Sequence, residues 1–141
     1  MERKIILEQL KNKLTEITFY EAYWYPLNKL KVDIPVLAYN IDTIYKQNHI
    51  DYLESVLERC KICKVIKVHL ERGVVVENLN LLNLLKEKDE EGYQFPWCTE
   101  TYYFDEKKDW MIYVSHEGSI TFAGTKIVEL AKEIIPENYI Y

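Results

Sequence analysis

Between Trp110 and Pro136 the apolar period changes from two to 3.6, and this switch constrains the fold more than any other feature of the chain. Trp110, Ile112 and Val114 alternate with Met111, Tyr113 and Ser115, the pattern of a strand with one face more apolar than the other. His116-Glu117-Gly118 turns the chain into a second strand, Ser119 to Ala123. Gly124 and Thr125 then introduce a helix whose stripe is Ile127, Leu130, Ala131 and Ile134, with Pro136 past its end. Upstream, residues 97–104 are rich in the aromatic and β-branched side chains that suit a pleated surface, and Asp105 to Asp109 is a charged hairpin connection. The expectation is a three-strand meander covered by a helix. A helix laid on an antiparallel sheet buries the apolar face of each, which is an α+β arrangement.

At 141 residues the chain fits one α+β domain over residues 1–141. Ile6, Leu10, Leu14 and Ile17 predict an amphipathic helix over 3–17. Residues 18–35, crowded with Phe19, Tyr20, Tyr23, Trp24 and Tyr25 before Pro26, read as a turn-rich connector. Val36 to Tyr39 is a short strand. A helix is expected over roughly 43–60, capped by Asp42 or Asn48, with Tyr45, His49, Tyr52, Leu53, Val56, Leu57 and Cys60 on one face. Ile62 to Leu70 reads as a strand, Val74 to Val76 as its extension after Gly73, and Asn78 to Lys88 as a helix stopped at Gly92.

Charge excludes some functions. The net charge is −5, and residues 1–72 carry +2 against −7 for residues 73–141. General nucleic-acid binding draws on Lys and Arg against phosphate, so it is not expected. The local basic run Arg59, Lys61, Lys64, Lys67 and Arg72 lacks the aromatic strand motif of RNA readers and reads as a solvated strand. No apolar run nears the ~20 residues of a membrane helix. Met1 to Glu8 returns to charge too soon for a signal peptide, so a cytoplasmic location is expected.

The reactive side chains form no strong motif. Cys60-Lys-Ile-Cys63 matches C-x-x-C, but it falls at the C-terminal end of the expected helix, where the dipole disfavours a thiolate. Zinc would need two further ligands from among Cys98, His69 and His116, and these are single and scattered. Buried structural thiols are the preferred reading. Ser115 and His116 are adjacent, so in a strand they point to opposite faces and make no nucleophile–base pair. Phosphate-binding glycine motifs are absent from the sequence. No catalytic residue, metal or cofactor is expected.

The most suggestive segment is acidic and aromatic. Residues 87–109 hold eight acids against three lysines, interleaved with Tyr93, Phe95, Trp97, Tyr102, Tyr103 and Phe104. Aromatics anchor interfaces, and carboxylates steer basic partners. Trp97, Phe104 and Trp110 read as core. For the Tyr-rich face, core and partner contact stand equal. The expected partner surface comprises Glu100, Tyr102, Tyr103, Asp105, Glu106, Asp109, His116 and Glu117.

The segment Trp110-Met-Ile-Tyr-Val-Ser-His-Glu-Gly-Ser-Ile-Thr-Phe-Ala-Gly124, with its following helix, resembles the C-terminal part of small bacterial proteins, some of them immunity proteins of toxin–immunity pairs. The likeness covers about residues 97–136. It implies a cytoplasmic, non-enzymatic α+β protein that masks a basic partner such as a nuclease toxin. The alternative is a small-molecule or nucleotide-binding protein, assembled as an oligomer and using the aromatic rings near residues 20–25.

Overall fold

The structure, a computed structural model, describes residues 33–61, 65–69, 73–77, 92, 100–105 and 109–141. The helices expected over 3–17 and 78–88, and the aromatic connector up to residue 32, lie outside the described residues.

The described elements follow one another as β1 (Val36–Asn40), α1 (Ile41–Lys46), α2 (Ile50–Cys60), β2 (Val65–His69), β3 (Gly73–Glu77), β4 (Thr101–Phe104), β5 (Met111–Val114), β6 (Ser119–Ala123) and α3 (Thr125–Ile134), closed by a 3₁₀ turn, Glu137–Tyr139. The strands form one six-stranded sheet in the order β1-β6-β5-β4-β2-β3, with every neighbour antiparallel. The fold is α+β, and the C-terminal meander β4-β5-β6 with its covering helix is as the period switch predicts.

Register decides which side chains share a face. Leu37, Phe122, Ile112 and Tyr103 lie in one row across β1, β6, β5 and β4, and Tyr39, Ile120, Val114 and Thr101 in the next. Their apolar members join Leu53, Val56, Leu57 and Cys60 of α2 and Ile127, Val128, Leu130 and Ala131 of α3 in the core. Burying each large aliphatic side chain is favourable by about 1.5–3 kcal/mol. The opposite face carries Tyr102, Phe104, Met111, Tyr113, Thr121 and Ala123, and these are buried too.

The helix expected over 43–60 is two helices. Asn40 caps the first: its Oδ1 accepts from the Thr43 N–H at 3.1 Å. The helix stops at Gln47, where Asn48 takes φ 60° and the N–H groups of Asn48 and His49 return to the carbonyls of Tyr45 and Ile44. Asparagine tolerates this left-handed conformation better than most residues, so Asn48 closes α1 at its C-terminal end instead of capping a helix over 43–60 at its start. α2 ends in the same manner, with Lys61 at φ 52°.

Candidate functional site

β4 separates the expected partner residues into two groups. Glu100 precedes the strand and Asp105 follows it, and five residue steps at ~3.3 Å each set them about 17 Å apart. His116 and Glu117 lie at the Glu100 end, because Thr101 pairs with Val114 and the β5–β6 turn follows. Asp105 and Asp109 lie at the other end, where Phe104 pairs with Met111. Glu106 lies outside the described residues. Among the described residues the expected partner surface therefore divides into two groups, one at each end of β4.

Burial removes more of it. Tyr102 and Tyr103 point to opposite faces, and each is 0 % exposed. Both sheet faces are covered at this strand, so neither tyrosine offers its ring to a partner. Tyr102 stacks instead on Tyr113, with centroids 4.4 Å apart. Trp110 is buried as expected, and its indole Nε1–H donates to Asp105 Oδ2 at 2.7 Å. Asp105 is half-buried, whereas Asp109, His116 and Glu117 are exposed.

Glu100 is a structural clamp and not a surface acid. It is 9 % exposed and sits at φ 55°. Its Oε2 accepts from the Tyr113 hydroxyl at 2.6 Å, and its Oε1 accepts from the His116 backbone N–H at 2.8 Å and lies 2.7 Å from His116 Nδ1. His116 Nε2 lies 3.5 Å from Glu117 Oε1, so the ring sits between two carboxylates. The turn is fixed from its other side as well: the Gly118 carbonyl accepts from the Ile41 N–H at 2.8 Å. Charge-assisted bonds of this kind are about twice as strong as neutral ones. Ser115 Oγ is held by Ser119 Oγ at 2.6 Å while His116 turns to Glu100, so the adjacent Ser and His serve separate partners.

Cys60 is the last residue of α2, is buried, and has its thiol pushed up by burial, with a smaller opposite effect from Lys126. Burial and the helix C-terminus both oppose a reactive thiolate there. Cys63 and Cys98 lie outside the described residues. Among the described residues no three His, Cys, Asp or Glu side chains gather as a metal site.

One acid and one ring meet at the start of α2, where the sequence reading did not place them: Asp51 Oδ1 lies 3.7 Å from His49 Nδ1. Asp51, Glu54 and Glu58 are exposed at spacings of three and four along α2, one stripe of the helix. Beside its first turn His49 stacks on Tyr52 at 4.7 Å, and both approach the ring of Tyr139, at 6.3 and 6.0 Å. The Tyr139 hydroxyl donates to Gln47 Oε1, which ties the 3₁₀ turn to the α1–α2 junction. His49 keeps 42 % of its side chain exposed. Arg59, the one cation on α2, faces Glu133 of α3 at 3.4 Å. The signal in the sequence was the acidic spacing of 51, 54 and 58, opposite the apolar face.

Comparison of the chain with known protein families, with curated proteins and with solved structures finds no match. No helix among the described residues is long and apolar enough to cross a membrane.

Proposed function

We propose that the chain is a non-enzymatic binding protein of the immunity type, acting in the cytoplasm by occluding a basic partner such as a nuclease toxin. The observation that carries this reading is the exposed acidic stripe Asp51, Glu54 and Glu58 along α2, with the half-exposed ring of His49 beside Asp51 at its N-terminal end. It supplies the two ingredients assigned to the interface, acids and a ring, but from α2 and the residue before it instead of the β4–β5 region. Carboxylates on a rigid helix raise the encounter rate with a cationic surface, and the His49 ring, held against Tyr52, presents contact area at little entropic cost. The reading agrees with what the likeness of residues 97–136 to small bacterial proteins, some of them immunity proteins, implies. The β5–β6 strands that carry that resemblance are buried, so they act as scaffold.

The test is affinity capture from the native host with mass spectrometry, then stopped-flow association with the captured protein. A basic protein is expected whose association slows about tenfold or more when Asp51, Glu54 and Glu58 become Asn, Gln and Gln, with a flatter dependence on salt. An on-rate unchanged by those substitutions overturns the docking surface. Turnover of a substrate by the purified chain, or stabilisation by a metabolite with no protein captured, overturns the function.

A further inference from the structure

The outer edge of β1 is the second surface on which the structure has something to say. β1 is the terminal strand of the sheet, and Val36, Leu37 and Ala38 are half-buried where all of β6 is buried. Gly124 donates to the Pro35 carbonyl and Ile41 to the Gly118 carbonyl, so the odd-numbered residues bond toward β6. Backbone direction alternates along an antiparallel strand, and Val36 and Ala38 therefore direct N–H and C=O away from the sheet. The chain itself uses one of these groups. Tyr39 and Ile140 form an antiparallel bridge, and the Tyr141 N–H donates to the Ala38 carbonyl at 3.0 Å.

We infer that this edge pairs with the β1 edge of a second copy of the chain when the segment Tyr139–Tyr141 is released, so that the segment acts as a guard strand. An uncharged, apolar strand edge is a template for another strand, proteins block such edges with charge, proline or a covering segment, and among the described residues only the C-terminal segment covers this one. Val36–Asn40 carries no charge. The cover described here reaches only residues 38–40. A second copy fits because the strand is its own complement. About a twofold axis at Leu37, each Val36 stands opposite the other copy's Ala38, their outward N–H and C=O groups bond to one another, and apolar side chains meet apolar side chains. That register needs the Ala38 carbonyl and the space beside it, which Tyr141 now occupies. Guard and second copy exclude each other. The guard is held at one end by Tyr139, which is buried, whereas Ile140 and Tyr141 are 43 % and 51 % exposed and add little side-chain hold. This inference is independent of the proposed function.

Sedimentation velocity from low-micromolar to millimolar protein tests it, on the full chain, on Tyr141→Pro and on a chain lacking Ile140 and Tyr141. Tyr141→Pro removes the N–H that reaches Ala38 and nothing else from the backbone. The full chain is expected to be monomeric, and both variants to self-associate at least about tenfold more tightly. Adding Ala38→Lys to Tyr141→Pro is expected to restore the monomer, because a charged edge resists pairing. Monomeric Tyr141→Pro throughout the range, a full chain that is already a dimer, or a dimer indifferent to Ala38→Lys each overturns the inference. Where the shortened chain loses its circular-dichroism signal, Tyr141→Pro alone decides.

Discussion

Glu100 Oε1 and His116 Nδ1 meet at 2.7 Å across 16 residues of chain, and the same oxygen receives the His116 backbone N–H. One carboxylate thus joins the entrance of β4 to the β5–β6 turn. The Tyr113 hydroxyl completes its coordination from inside the sheet. A buried carboxylate with this many donors stabilises the fold only while all of them stay paired.

Replacing Glu100 by Ala is therefore expected to cost about 2–4 kcal/mol, since it removes the acceptor of the buried Tyr113 hydroxyl and the carboxylate that holds the half-buried His116 N–H. Tyr113→Phe is expected to cost about 1–2 kcal/mol, as it removes the donor but leaves the acceptor its other partners. Urea unfolding of both single variants and the double variant checks this. The double variant should fall short of the sum by about 0.5 kcal/mol or more. Additive effects would mean that the two groups do not act together.

Tyr39 is buried, its hydroxyl has no hydrogen-bond partner among the described residues, and burial pushes its pKa up to about 12. The folded state then holds the phenolic proton more tightly than the unfolded state, whose value is near 10. The contribution of this group is fully present below pH 10 and is lost as pH rises from 10 toward 12. Tyr39→Phe is expected to leave stability at neutral pH unchanged or raised, because an unpartnered buried hydroxyl disappears with it. It should also flatten the alkaline decline. Thermal unfolding across pH 8 to 12, on both proteins, reads each effect. A large loss at neutral pH would reveal a partner for that hydroxyl.

The acidic stripe makes a contrast of positions. Neutralising Asp51, Glu54 and Glu58 together is expected to slow partner association, whereas neutralising Asp105 and Asp109 is expected to leave it nearly unchanged, because those two sit at a strand end and Asp105 is already bound to Trp110. The α2 set should leave the urea midpoint close to that of the parent chain, since surface substitutions away from packed contacts seldom move stability far, whereas changing Asp105 weakens the acceptor of the buried Trp110 indole and should lower stability by about 1 kcal/mol. Stopped-flow rates at low and high salt, run on both variants, separate the two surfaces. Equal slowing by both sets would return the β4–β5 region to the interface.

The C-terminal half was legible because each element there has one dominant period, two for β5 and β6 and 3.6 for α3. Alternation failed at Tyr102 and Tyr103 for a physical reason. A sheet covered on both faces buries both phases of the pattern, so neighbouring rings are core in opposite directions. Asn48 was visible in the sequence, but whether an Asn caps a helix or breaks it depends on its backbone angle. Glu100 was chosen for its charge, and its role comes from partners 13 and 16 residues away that only the β4–β5 register brings to it. The α2 stripe is written in plain spacing, but spacing alone does not separate an acidic face that binds from one that only meets water.

Gly118 and Gly124 are predicted to differ in what a side chain would cost. Both hold positive φ, 83° and 121°, so any L-residue is strained at either place. A Cβ on Gly118 would stand 2.3 Å from Asp42 Oδ2, an atom at the end of a side chain that can swing away. A Cβ on Gly124 would stand 2.6 Å from the Asp109 carbonyl oxygen and 3.0 Å from the Trp110 Cα, and backbone there cannot yield without moving the β4–β5 connection. Gly124 also donates its N–H to Pro35 and starts α3, since its carbonyl accepts from the Val128 N–H. Gly118→Ala is expected to cost about 1–2 kcal/mol, with part of the loss recovered by adding Asp42→Ala, and Gly124→Ala about 3 kcal/mol or more with no such rescue. Denaturant midpoints of the three variants test the order. A Gly118→Ala loss equal to that of Gly124→Ala and indifferent to Asp42→Ala would show that strain at positive φ, and not the neighbouring atom, sets the cost.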